Sequence, residues 1–455
     1  MKDMTKGFPA KVIIMFAIPL MLGNILQQLY NVTDSKIVSE SIESGLAAIG
    51  ATAVVSNLLI NFICGLTQGF GIMIARSFGE KDYVSLRRYV AGTVKLTSVV
   101  TVIFTVVFLI VIRPVLVLLN TPADILDDAV SYVRIIIAGL VFVALYNMSA
   151  NILRSMGDSK RPLICLIIGI VVNVGLDILF VIVLKTGITG AAYATVISQF
   201  IAGICCFLLI IIKYRHIIPK KDEWKPNRQQ YGSMIAAGSS MALMGCIVSI
   251  GTVILQSGIN GLGTDYVTAH IAGRRVFDIM MVMIFTIGLS MTTYVSQNLG
   301  AGEYGRIRKG IWHAIVIDTI IASALVIFAY TLGGRVVKWV ASTDNEEVVS
   351  AGIRYIRVGV LFFYVLGPLF ILRCSLQGLG QKIVPLVSSC LELTVKILST
   401  AFLVPWLGYF GVILTEPVSW VVIIVPLIVV YIIKRPGKNM ESRDKKTLDN
   451  SSEIC

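Results

Sequence analysis

The sequence predicts an all-α polytopic membrane protein, with twelve transmembrane helices in two six-helix bundles related by a pseudo-twofold along the membrane normal. Three observations carry this. The first is composition. Hydrophobic residues make up 56% and charged residues 14% of the 455 positions, against about 25% charged in soluble domains, and the mean hydropathy is +0.84. The second is internal repetition. Leu153-Arg154-Ser155-Met156-Gly157-Asp158-Ser159-Lys160-Arg161-Pro162-Leu163 returns as Leu376-Gln377-Gly378-Leu379-Gly380-Gln381-Lys382-Ile383-Val384-Pro385-Leu386 at an offset of 223, with Leu, Gly, Pro and Leu in register. Gly79, Tyr83 and Arg87 return as Gly300, Tyr304 and Arg308, and Gly187, Gly190 and Ser198 as Gly408, Gly411 and Ser419, all at an offset of 221. The third is the distribution of charge between the apolar runs.

Those runs fall at 12–38, 47–75, 92–118, 130–154, 162–184, 190–213, 232–260, 267–296, 311–340, 353–377, 385–407 and 410–433. Each reaches the roughly 20 helical residues that cross a hydrocarbon core of about 30 Å. Barrel strands are excluded, because they would alternate polar and apolar residues over about ten positions.

Span 1 follows a short basic N-terminus and is too long for a signal-peptide core, so it stays in the membrane. Pro19 interrupts it by removing a backbone donor. Its polar stripe of Gln27, Gln28, Tyr30 and Asn31 should face a cavity, since unsatisfied amides in hydrocarbon are costly. Tyr146 and Asn151 on span 4 join the cavity candidates. Span 5 carries Asn173 and Asp177, four apart and hence on one face; span 6 carries Thr195 near its start. On span 8, Arg274 and Asp278 are i,i+4 and read as a structural ion pair, with a cavity-lining role as the alternative; Glu392 and Lys396 on span 11 read the same way. Pro368 on span 10 and Pro417 and Pro426 on span 12 read as packing features.

Lys and Arg crowd the termini and the even-numbered loops, as in Lys81, Arg87 and Arg88, in Lys160 and Arg161, and in Arg306, Arg308 and Lys309. Glu40, Glu43, Asp124, Asp127, Asp128, Asp344, Glu346 and Glu347 mark the odd loops. The positive-inside rule then puts both termini in the cytoplasm. The formal charge of +13 follows from this topology and needs no nucleic-acid partner. With an even number of spans per half, both halves enter the membrane in the same sense. The expected organisation is an N-terminal lobe over 1–212 with a coupling-ion site, a cytoplasmic linker over 213–230, a C-terminal lobe over 231–434 and a disordered tail over 435–455. The eight cysteines show neither metal spacing nor a disulfide framework.

Ionisable groups at membrane depth cost about 3 kcal/mol on insertion scales and mark functional paths. At about 1.5 Å per residue, Asp177 sits roughly 10 Å, Thr195 roughly 8 Å and Asp34 roughly 6 Å from the outer helix ends. Two carboxylates, an amide and a hydroxyl at one level form a hard-oxygen site for Na⁺ or a proton-binding pair. The second half does not repeat it: Asn173 becomes Lys396, Asp177 becomes Thr400, Thr195 becomes Glu416, and Asp34 falls near Ile254. Coupling is therefore expected in the N-terminal half.

Tyr30-Asn31-Val32-Thr33-Asp34, Leu153-Arg154-Ser155-Met156-Gly157-Asp158, Asn173 with Asp177, Gly190-Ala191-Ala192-Tyr193-Ala194-Thr195, Ser296-Gln297-Asn298-Leu299-Gly300-Ala301-Gly302 and Leu376-Gln377-Gly378-Leu379-Gly380 together resemble the multidrug and toxic compound extrusion family, in its bacterial multidrug export branch, over about residues 8–435. The resemblance implies a V-shaped pair of helical bundles that exports lipophilic, often cationic drugs in exchange for H⁺ or Na⁺ by alternating access. It also implies that Asp34, Asn173, Asp177 and Thr195 bind the coupling ion, with Na⁺ as one candidate, and that Pro19 is the helix 1 hinge. The sequence departs from the family pattern at Ser39-Glu40, where a glycine commonly follows, and it lacks the helix 7 carboxylate of some members.

Gln27, Gln28, Tyr30, Asn31, Tyr146, Asn151, Arg274 and Asp278 are the expected substrate-cavity residues. No cofactor is expected. The expected partners are small-molecule drugs and the bilayer, with the chain a monomer in the bacterial plasma membrane. A flippase for a lipid-linked precursor is the alternative on the same architecture; it would line its cavity with Arg or Lys, and Arg274 and Arg275 keep it open. An enzyme is not expected, because His216, His270 and His313 lie far apart and match no nucleophile or metal spacing. A channel gives no reason for a repeat with one off-centre carboxylate site.

Overall fold

A computed structural model of the chain describes residues 3–41, 45–341 and 345–434, and every regular element among them is a helix. The tail over 435–455, expected to be disordered, and the loop acids Glu43 and Asp344 lie outside the described residues. The first half of the chain holds α1 (Pro9–Ser41), α2 (Gly45–Glu80), α3 (Tyr83–Leu118), α4 (Ala123–Ala138), α5 (Leu140–Ser155), α6 (Lys160–Asp177) and α7 (Ile188–Lys213). The rest holds α8 (Arg228–Asn260), α9 (Thr264–Gly300), α10 (Tyr304–Thr331), α11 (Gly333–Ala341), α12 (Glu346–Leu361), α13 (Phe363–Gly378), α14 (Ile383–Leu398), the single-turn α15 (Val404–Leu407) and α16 (Tyr409–Ile433).

Ten helical stretches are long and apolar enough to cross a membrane, and the total reaches twelve when the bent pairs α4–α5 and α12–α13 each count as one span. Their bends measure 41° and 53°. The sequence showed spans 4 and 10 as uninterrupted apolar runs; the breaks fall at Gly139 and Phe362. Neither is a proline break, and Pro368 lies inside α13. The run 311–340 likewise divides into α10 and α11. In span 1, where Pro19 was expected to interrupt the helix, α1 runs without a break from Pro9 to Ser41.

The repeat reaches the irregularities. Gly139 and Phe362 are 223 residues apart, and π-helical segments Ile178–Val183 and Ser399–Leu403 begin 221 apart. Gly157 and Gly380 both take a left-handed backbone, with φ of 79° and 81°, as do Gly187 and Gly408, with φ of 71° and 59°. A glycine fits these sites because a Cβ disfavours positive φ.

Contacts divide the chain into two compact units. One is built mainly from Met15–Phe78 and Asp82–Val253, the other from Met4–Ile14, Gly79–Lys81 and the chain from Ile254 onward. The division falls inside α8, well beyond the linker, because most of α8 packs on α2: Met234, Ala237, Met241 and Ala242 share a core with Leu66, Phe70 and Met73. Gly69 makes this approach feasible, since a Cβ there would lie 2.5 Å from the Ala237 carbonyl oxygen.

The 213–230 linker is ordered into 3₁₀ turns at Arg215–Ile217 and Lys221–Trp224, with Ile217 fully buried. It is clamped to α3 within the first unit. Arg87 donates through Nε and Nη2 to both oxygens of Glu223 at 2.6 and 2.7 Å, and Lys95 donates to the Trp224 carbonyl at 2.5 Å. In the second unit, the Met4 N–H donates to Gln297 Oε1 at 3.1 Å and the Met4 carbonyl accepts from Asn298 at 3.2 Å, while Arg306 donates to the Gly7 carbonyl at 2.8 Å. The short segment before α1 is thereby fixed on the α9–α10 corner.

Candidate cation-coupling site

Three helices of the first unit bring the predicted oxygens together. Tyr30 and Asp34 are one turn apart on α1, as are Asn173 and Asp177 on α6. Asn173 and Asp177 are 1% and 0% exposed. The Asp34 and Asp177 carboxyl groups meet in a side-chain hydrogen bond. With its amide turned so that both ends are satisfied, Asn173 donates to Asp177 Oδ2 at 2.7 Å and accepts from the Thr195 backbone N–H at 3.2 Å. The Thr195 hydroxyl donates to the Ala191 carbonyl at 3.0 Å and lies 3.4 Å from the Tyr30 hydroxyl. The four residues selected for ion coupling therefore form one connected group.

Two carboxyl oxygens, Asp34 Oδ1 and Asp177 Oδ1, are buried without a hydrogen-bond partner. Buried polar oxygens are nearly always satisfied, and two facing carboxylates repel unless a proton or cation lies between them. Among the described residues no three His, Cys, Asp or Glu side chains converge as a metal cluster. The site instead offers two carboxylates, an amide and hydroxyls, the hard-oxygen chemistry of Na⁺ or a proton. Asp177 is the last residue of α6, and the π segment starts at Ile178. Such wide turns recur at functional sites, where they displace side chains from the regular helical register.

Tyr132 of α4 belongs to this group although the sequence did not single it out: it is 9% exposed and interacts electrostatically with both Asp34 and Asp177. A tyrosine in a span is too ordinary to flag. Only the folding of α4 toward α1 and α6 identifies it.

The expected cavity residues separate into three groups. Gln27 and Gln28 are exposed on α1 and Tyr30 is half-buried beside Thr195, while the Asn31 side chain lies outside the described residues. Tyr146 and Asn151 are buried within the first unit, Tyr146 in a hydrophobic cluster and Asn151 donating to Thr67 Oγ1 at 2.9 Å. They occupy packing positions, because the face of α5 that carries them points into the unit's core. Arg274 and Asp278, in the second unit, are joined at 2.7 Å.

That ion pair is one end of a larger network. Arg274 also bonds Glu416 at 2.8 Å; Lys396 lies 3.9 Å from Glu416 and 3.1 Å from Glu392; Arg373 bonds Glu392 at 3.1 Å. Three cations thus meet three carboxylates. The i,i+4 pairs were readable in the sequence, but Glu416, 142 residues from Arg274, joins them only in the fold. Arg373 was missed despite a clear signal, an arginine inside a long apolar run.

At the chain's polar corners the charges are conventional. Burial raises the Asp158 carboxyl, but hydrogen bonds from Tyr214 and from the Arg161 backbone and side chain overcome this and leave it below its ordinary value. Arg87 is the main reason that Glu223 is held at about 2.

Comparison with known proteins agrees with this architecture. The MatE family model matches residues 19–179 and 240–403. Probable multidrug resistance protein YpnP of Bacillus subtilis strain 168 is 27% identical over 417 residues, covering 90% of this chain and 92% of that protein. A FAD transporter of Shewanella oneidensis is 22% identical and covers 90% of this chain and 91% of its own. The outward-facing structure of a multidrug resistance MATE family transporter superposes with a TM-score of 0.89 at 22% identity, over 95% of this chain and 97% of that one. With both halves of the chain matched by the family model, twelve potential spans and a two-fold repeat, the chain belongs to the MatE family and is a multi-pass membrane transporter.

Proposed function

We propose that the protein is a secondary antiporter of the bacterial plasma membrane, with cytoplasmic termini, that exports lipophilic, often cationic drugs in exchange for H⁺ or Na⁺. The observation that carries this reading is the facing pair Asp34–Asp177, in which the Oδ1 atom of each carboxyl group is buried without a partner. A proton or Na⁺ entering from outside satisfies those oxygens. Its release leaves two desolvated charges in contact, which favours a different packing of α1 against α6. Drug exchange follows if drug and ion favour opposite packings, since a ligand shifts such an equilibrium only by its differential affinity. Pro19, where α1 lacks a backbone donor, is the proposed hinge for that repacking.

The flippase alternative gains little. Arg274, the residue that motivates it, is bound by Asp278 and Glu416, and Lys396 and Arg373 are likewise matched by acids. The relatives' names support small-molecule export, and one of them names FAD as cargo. The deciding experiment is reconstitution into proteoliposomes with an imposed pH or Na⁺ gradient and a fluorescent lipophilic cation. Uptake driven by either gradient supports the reading. Transport of FAD or of a lipid-linked pyrophosphate alone, with no response to the cation, overturns it.

A further inference from the structure

A solitary carboxyl lies buried in the second unit, outside every site described above. Asp318, midway along α10, has 0% exposure, and neither of its oxygens has a hydrogen-bond partner. It sits one turn from Ala314 and from Ala322, in the buried face of α10. Opposite is Gly367 of α13, so close that a Cβ there would fall 1.4 Å from Asp318 Oδ2. Only a glycine fits against this acid. The same two helices are joined farther along by the hydroxyls of Ser323 and Tyr364, 3.0 Å apart.

No charged side chain among the described residues acts on Asp318. On α13, Arg373 is taken by Glu392 and Tyr364 by Ser323. On α9, Arg274 and Asp278 hold each other, and Tyr294 donates to the Arg306 carbonyl. On α12, Tyr355 meets Arg274 and Arg357 lies over the Tyr330 ring. His270 and Arg275 of α9, Arg354 of α12 and Arg335 and Lys338 of α11 form no hydrogen bond with it either.

An ionised carboxylate in such a place would have neither water nor a partner to replace its hydration, which is a heavily disfavoured state. Its neutral form tolerates the close approach of Gly367. Ionisation would need space for water, and α13 has the means to provide it. Phe362, where the chain bends by 53°, lies five residues before Gly367, and Pro368, without an N–H, follows directly.

We propose that Asp318 is a second proton-binding site of this protein, which holds a proton while α13 lies against α10 and gives it up to water when α13 withdraws at the Phe362–Pro368 segment. The site is independent of Asp34 and Asp177 and stands whether their ion is H⁺ or Na⁺.

The test uses the full chain in phosphatidylethanolamine–phosphatidylglycerol nanodiscs, as wild type, Asp318→Asn and Asp318→Ala. Infrared difference spectra report the C=O stretch of protonated carboxyls, and amide hydrogen exchange reports the mobility of 363–378, both followed from mildly acidic to alkaline pH. A protonated-carboxyl component is expected in the wild type, beyond any contribution of Asp34 and Asp177, that both variants lack. It should fade on alkalinisation together with faster exchange over 363–378, and that response should be lost in the variants. The Ala variant, matching Ala314 and Ala322 on the same face, covers the case in which a buried amide prevents folding. A wild-type band that never titrates, or one unrelated to exchange of 363–378, overturns the proposal without any variant. An identical pH response in the variants overturns it as well.

Discussion

Lys396 in the second unit stands at the repeat position that Asn173 holds in the first. Each lies on the helix preceding a π segment, 223 residues from the other. Asn173 bonds Asp177 at 2.7 Å beside unsatisfied carboxyl oxygens, whereas Lys396 brings its own ammonium within 3.1 Å of Glu392. On the proposed reading, the first unit takes an exchangeable cation where the second carries one covalently attached.

Replacing Asn173 by Lys should copy that arrangement. The Asn173→Lys protein is expected to insert normally and lose gradient-driven export, because the tethered ammonium occupies the carboxylate pair permanently. Asn173→Ala removes a hydrogen bond donated to Asp177, of about 1.5–3 kcal/mol, that favours the ion-free carboxylate, and should raise the apparent affinity for a coupling proton about tenfold or more. Ion-dependent efflux measured over a range of ion concentrations separates the two outcomes, and wild-type coupling in the Lys variant would exclude the site.

Asp34→Asn mimics the neutral acid and should leave the protein in the membrane without drug-driven proton or Na⁺ movement. Asp177→Asn should behave similarly, since the two side chains share a hydrogen bond. Near wild-type coupled efflux in either variant, measured in proteoliposomes, would remove that residue from the mechanism.

Lys396 is 3% exposed and Glu392 7%, so Lys396→Met leaves the buried network with three carboxylates against two cations, Arg373 remaining on Glu392 and Arg274 on Glu416. Losing one partner of a buried pair costs about 3–5 kcal/mol, which should appear as a lower apparent melting temperature in detergent. The double variant Lys396→Met with Glu392→Gln should recover part of the loss, because the surplus negative charge is removed as well. A single variant as stable as wild type would mean that water reaches the network.

The linker clamp predicts a pH dependence. Glu223 is held at about 2 against an ordinary 4.5, so its contribution is fully present above 4.5 and is lost as pH falls from there toward 2. Glu223→Gln should therefore weaken the clamp at neutral pH, by about 1 kcal/mol for a pair at the water boundary, and flatten the acid response between those values. Protease sensitivity of the 213–230 segment, compared across pH for wild type and variant, reads this directly. Coupled transport should be unchanged.

Apolar runs, the 221–223 repeat and the charge bias of the loops were enough to reach the membrane class, the number of potential spans and the two-fold repeat, because burial in hydrocarbon constrains every residue of a span locally. The same logic exposed Asp34, Asn173, Asp177 and Thr195: a polar group at membrane depth stands out against an apolar run, and helical spacing gives its face. Three-dimensional packing decided the rest. The breaks at Gly139 and Phe362 lie in runs whose hydropathy does not change, so only the packed helices reveal them. Tyr132 joins the carboxylates through the path of α4, and Glu416 unites two local ion pairs across 142 residues. Asp318 is an acid inside the apolar run 311–340 that the sequence analysis did not single out, and only the packing of α13 sets Gly367 against it. Hydropathy and periodicity report how each residue meets its solvent, whereas partnership between distant side chains depends on how helices are paired, and that is a property of the fold alone.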